Sequence, residues 1–187
     1  RIRQRHGDRM MDSQKKRWVA INVVGGIAVL GSYAHGLITH PQTREMLWGS
    51  MPDPLKSIYG VTMWLAAAGY LVFMQHVFFR IDTAAARVGQ RFGFGIVNAC
   101  CAAVVFASAL WMPLTFAYLD QPSTALWVLI RADLLIVGIG AVGLIVALFN
   151  LSPRPIGWAG SIVIFALLPF ALQTAFLDAF VWPAFFQ

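Results

Sequence analysis

Charge is what this chain has least of: 12% of its 187 residues are Asp, Glu, Lys or Arg, against 59% hydrophobic. Soluble domains run nearer half apolar and a quarter charged, so the composition excludes an ordinary water-soluble domain. Cysteine is confined to the adjacent Cys100 and Cys101, which excludes a Cys-x-x-Cys redox pair and a zinc spacing and leaves two small hydrophobes. No Ser-His-Asp set, H-E-x-x-H or P-loop is visible, so hydrolase, metalloprotease and ATPase chemistry have no residues to stand on, and a non-enzyme is expected. Gly138, Gly140 and Gly143 match G-x-G-x-x-G, but no strand precedes them and the surroundings are continuously apolar. They read as packing glycines. His35 and His40 close the first apolar run, whereas His76 closes the second on the opposite side. Their depths do not match, which excludes bis-histidine haem within this chain; no cofactor is required, and a tetrapyrrole or a lipid is the class left open.

What is present is a series of apolar runs, over residues 18–39, 58–79, 92–118, 126–149 and 156–182. Each meets the roughly 20 residues needed to cross hydrocarbon, so the expected class is an all-α integral membrane protein, a bundle of five spanning helices. The division is a basic segment, 1–17, followed by a single membrane domain, 18–187. Seven of the 14 Lys and Arg lie in the first 17 residues. Counting the other linkers, eleven cations fall on the amino-terminal side and only Arg44 and Lys56 on the other. The positive-inside rule then places the amino terminus inside and the carboxyl terminus outside. Because the basic residues gather at one end, nucleic acid is excluded as a partner. The acid-free head, 1–7, suits either a transit-peptide remnant or a cytoplasmic anchor, and so a bacterial inner membrane or an organelle membrane.

Three charges stand within the runs: Arg131 and Asp133 in the fourth, Asp178 in the fifth. An ionisable residue at membrane depth is a functional-site candidate, the competing explanation being helix packing or snorkelling to head groups. Arg131 lies roughly 10 Å from the entry point near Thr124, and Asp178 is similarly near the end of the next run. Antiparallel packing of these two runs would put them at one depth, so a direct or water-bridged Arg131–Asp178 contact is expected. Asp133, about 200° round the helix from Arg131, points elsewhere. Pro113 is expected to kink or end the third helix and Pro169 to break the fifth. Pro41, Pro52 and Pro54 exclude a continuous helix between the first two runs, and that loop, with Trp48, is expected to rest at the interface rather than to cover the bundle.

The run Leu110-Trp111-Met112-Pro113-Leu114-Thr115-Phe116 closing the third segment resembles the Trp-x-Pro-x-Phe-Phe run of the TspO family, the tryptophan-rich sensory proteins that include the mitochondrial translocator protein. Ala125-Leu126, Pro169-Phe170, Leu177-Asp178 and Gly69-Tyr70 resemble further short motifs of that family. The resemblance implies a five-span, non-enzymatic protein that binds or transports an apolar ligand, a tetrapyrrole, sterol or lipid. It also implies that Trp64, Tyr70, Trp111, Pro113, Pro169 and Asp178 face the ligand, with the Trp48 loop above. From a different class, small-residue helix faces and the lack of catalytic residues also suit a structural accessory subunit of a respiratory or photosynthetic complex. The partners expected are the lipid bilayer, other membrane subunits, or a second copy of the chain.

Overall fold

A computed structural model describes residues 12–89, 91–153 and 159–186. The chain is helical almost throughout: α1 (Ser13–Thr39), α2 (Asp53–Arg80), α3 (Gly95–Asp120), α4 (Thr124–Phe149), α5 (Ala159–Leu172), a π-helical stretch (Gln173–Val181) and α6 (Trp182–Phe186). Five helices, with α5 through α6 counted as one, are long and apolar enough to cross a membrane. The all-α bundle is therefore what the chain forms. The helix starts follow local chemistry. Asp12 caps α1 by accepting the Gln14 and Lys15 N–H groups at 2.8 and 3.2 Å, Ser123 caps α4 by accepting from Leu126 N–H at 3.2 Å, and Pro54 sits in the first turn of α2, where a missing N–H costs nothing.

Helix α1 packs on α3, α3 on α4, α4 on α5 and the π stretch, and α2 on α5. Glycine makes these approaches close. Gly25 faces Val105, Gly140 faces Val104 and the Cys100 carbonyl, and Gly69 faces the Ala166 carbonyl. Around this core the outer faces carry exposed Ile27, Leu30, Ile38, Val61, Ile139 and Phe165. In water such a continuous apolar belt would be an aggregation surface; in hydrocarbon it has no cost.

The linkers at the amino-terminal end of the bundle form a sheet too short for the period-two signal to show. Strands β1 (Arg87–Val88), β2 (Phe92–Gly93) and β3 (Leu151–Ser152) pair antiparallel in the order β2-β1-β3. The third helix thus starts at Gly95, not at 92 as the apolar run suggested. It also continues through Pro113 to Asp120, so the proline does not end the helix. Just past that proline the Thr115 hydroxyl donates to the Trp111 carbonyl at 2.7 Å. Pro169 likewise does not break the fifth helix; helical structure runs on, and its pitch changes four residues later. The basic head over 1–11 and the turn with the start of the fifth run over 154–158 lie outside the described residues.

Asp12 also ties the start of α1 to the first linker, accepting the Thr83 hydroxyl at 2.5 Å. Partial burial works to raise its pKa, but the hydrogen bonds from Thr83, Lys15 and Gln14 and the Lys15 charge outweigh it and hold the carboxyl below its ordinary 3.8. A group depressed in the folded state contributes stability above its ordinary pKa and loses it as pH falls through the depressed value. The protection factors of the first-turn amides of α1, taken against the intrinsic exchange rate at each pH, are therefore expected to be high at pH 6 and to fall below about pH 4. Asp12→Ala should show the low protection at both pH values, a loss of about 0.5–2 kcal/mol of capping.

Candidate functional site

Helical pitch decides which polar groups meet inside the carboxyl-terminal half of the bundle. In an α-helix residues five apart point in different directions; in the π stretch they stack, and the Gln173 amide donates to Asp178 Oδ1 at 2.7 Å. Gln173 Oε1 in turn accepts the Thr62 hydroxyl of α2 at 2.5 Å. Tyr59, one turn earlier on α2 and fully buried, donates its phenol to the Leu177 carbonyl at 2.6 Å. π turns inserted in α-helices are frequent at functional sites because they re-aim side chains in this way.

This arrangement corrects the expected Arg131–Asp178 contact. Among the described residues neither forms an ion pair. Asp178 is turned to Gln173, and the Arg131 guanidinium lies 6.0 Å over the Trp127 ring at the half-exposed edge of α4. The expectation rested on depth alone, and over 173–181 the chain is π-helical, so matched depth did not become matched direction.

Asp133, in contrast, points inward. It is 6% exposed, and its Oδ2 is buried with no hydrogen-bond partner among the described residues. Its level follows from the antiparallel packing of α3 and α4: Gly140 meets Val104, so two turns toward the carboxyl-terminal end of the bundle bring Asp133 to the height of Trp111. The Trp111 indole Nε1 is likewise buried and unpartnered. Tyr33 of α1 packs its ring 5.6 Å from Trp111, within the electrostatic reach of both Asp133 and Asp178. On the other side Trp111 meets Trp182 at 5.6 Å, and Trp182 continues to Phe186 at 4.2 Å and Trp127 at 6.5 Å.

The loop between α1 and α2 closes this end. The sequence favoured a loop resting at the interface, but a single 3-10 turn (Arg44–Trp48) is tied down across α6. Trp182 Nε1 donates to the Leu47 carbonyl at 2.8 Å, and the Ser50 N–H and hydroxyl both donate to the Phe185 carbonyl, at 2.8 and 3.0 Å. Gly49, at φ +52, lies so near Phe185 that a Cβ would stand 2.1 Å from its carbonyl oxygen. Leu47 and Met51 are buried under the strap, and Trp48 packs edge-on to Tyr59 at 6.0 Å.

Of the residues singled out from the sequence, the fold brings Trp48, Trp111, Asp133 and Asp178 to this one region. Tyr70 belongs to a second cluster nearer the amino-terminal end, where it donates to Asn22 Oδ1 at 2.7 Å and packs 5.1 Å from Phe170, the neighbour of the half-buried Pro169. Trp64 is 79% exposed and Pro113 is exposed, both on outward faces. Tyr33, Tyr59, Thr62, Gln173 and Trp182 joined the group only in three dimensions; Gln173, a lone amide within an apolar run, was the one signal among them. Two grooves form elsewhere: one of about 270 Å³ between α1 and α2, lined by Trp18, Asn22, Met74 and Phe78, and one of about 300 Å³ on α2 at Ser57, Ile58, Val61 and Thr62. Among the described residues no three His, Cys, Asp or Glu side chains gather as metal ligands. Comparison with protein-family models, curated proteins and solved structures finds no match to this chain.

Proposed function

We propose that this chain is a non-catalytic membrane protein that binds or transports an apolar, planar molecule, a tetrapyrrole, sterol or lipid, in the carboxyl-terminal half of its bundle. One observation carries the reading: among the described residues Asp133 Oδ2 and the Trp111 indole N–H are both buried without partners, at the level of a cluster of aromatic rings. Buried polar groups are normally satisfied, and an orphaned donor and acceptor at one level of a membrane bundle are what a bound molecule would complete. The TspO-like run around Trp111 and Pro113 supports the same reading. The proposed orientation, from the eleven-to-two distribution of Lys and Arg, has the amino terminus inside and the strap on the outer side, in a bacterial inner membrane or an organelle membrane.

The rings are in mutual contact, so entry requires the strap to lift from α6. Protein purified in a maltoside detergent is expected to transfer tryptophan fluorescence saturably to protoporphyrin dimethyl ester or to dehydroergosterol, and Trp111→Phe to weaken that binding. Transfer that only grows linearly with probe for both molecules, or recovery of the chain solely with tightly held membrane subunits, would overturn the reading in favour of an accessory subunit.

A further inference from the structure

Resting on that reading, we infer that the occupant is an organic cation: an apolar body bearing a protonated amine that donates to Asp133 among the rings of Trp111, Tyr33 and Trp182. The donors placed here are neutral, the unpartnered Trp111 indole N–H among them. Asp133 Oδ2 has none among the described residues, and Asp178 has one neutral amide. Arg131, the cation on the same helix as Asp133, is turned to the bundle edge over Trp127. Protonation of Asp133 would not complete the site, because a carboxylic acid adds an O–H that itself needs an acceptor. Among the described residues a metal ion lacks the further ligands. An anionic ligand would face two carboxyl groups at one end of the bundle, an arrangement that rejects like charge. A protonated amine, in contrast, satisfies the carboxylate by a charge-assisted hydrogen bond and meets the negative faces of the aromatic rings.

Three probes of one shape separate the possibilities: 9-(aminomethyl)anthracene, a cation at neutral pH; 9-anthracenemethanol, its neutral counterpart; and 9-anthracenecarboxylate, an anion. Each is titrated into the full chain in maltoside, reading energy transfer from tryptophan, for wild type, Asp133→Asn and Asp178→Asn. The amine is expected to bind at least about tenfold more tightly than the alcohol, with the carboxylate weakest. In Asp133→Asn the preference for the amine over the alcohol should be lost; Asp178→Asn should keep most of it. Saturable binding with equal affinity for amine and alcohol in wild type would overturn the inference and leave the proposed function standing, and that comparison needs no folded variant. A preference that survives Asp133→Asn also overturns it. Failure of all three probes and of the porphyrin and sterol would remove the proposed function itself.

Discussion

Gly69→Leu is expected to abolish recovery of folded, monodisperse protein from mild detergent, while Gly60→Ala on the same helix leaves yield and melting temperature unchanged. At Gly69 a Cβ would stand 1.9 Å from the Ala166 carbonyl oxygen and 2.9 Å from its carbon. Those are backbone atoms of α5, held in a helix, and cannot swing aside as a flexible side chain would. Helix α2 docks mainly on α5, so the only relief is to separate the two helices, with loss of the buried Phe73 and Val77 packing against Val163 and Leu167. Overpacking in cores costs about 1–3 kcal/mol where neighbours can yield. Here about 3 kcal/mol is a lower limit, a large part of the roughly 5–15 kcal/mol that holds a domain together. Gly60 has nothing within 4 Å of an added Cβ, which makes it the matched control for glycine as a helix breaker. Size-exclusion profiles and thermal unfolding of the two variants check the prediction; a well-behaved Gly69→Leu would mean that α2 and α5 do not approach as described.

Asp133→Leu is expected to stabilise the bundle while removing ligand selectivity. Leucine branches where aspartate does and places two methyl groups where the carboxyl oxygens stood, so the shape is kept and the buried, unpartnered oxygen is gone. Carboxyl groups at the centre of a membrane helix cost about 2.5–3.5 kcal/mol on insertion scales, and replacing buried charge by a matching apolar group often gains about 1–4 kcal/mol. An upward shift in melting temperature in the absence of ligand is the expected result. A fall would show that Asp133 holds a structural partner. Arg131→Met should change stability little, because its guanidinium already lies at the edge over Trp127. In a double-mutant cycle Arg131→Met and Asp178→Leu should be additive to within about 0.5 kcal/mol, as residues that share no partner are. Asp178→Leu alone should be the costlier of the two, since it strands the Gln173 amide.

Together these variants separate two kinds of buried polar residue. Asp178 is held in a chain with Gln173 and Thr62, which ties the π stretch to α2. Among the described residues Asp133 Oδ2 has no such tie, and a binding role would account for the cost of burying it, since functional sites commonly keep strain that the rest of the fold supports.

The number of spanning helices, their apolar faces and the charge asymmetry between the two ends followed from the sequence alone, because hydrocarbon thickness sets the length of an apolar run. The presence of three charges at membrane depth was equally legible. Their directions were not. Tertiary structure decided that Asp133 faces the interior and Arg131 the edge, because α4 buries whichever face α3 and the π stretch can approach, and Gly140 and Gly138 set those approaches. It decided that Asp178 meets Gln173 instead of Arg131, because the chain changes pitch over 173–181, and no apolar period announces a π turn. It also decided that the Trp48 loop is a strap: hydrogen bonds over 135 residues of separation, from Trp182 to Leu47 and from Ser50 to Phe185, join parts of the chain that no local pattern relates.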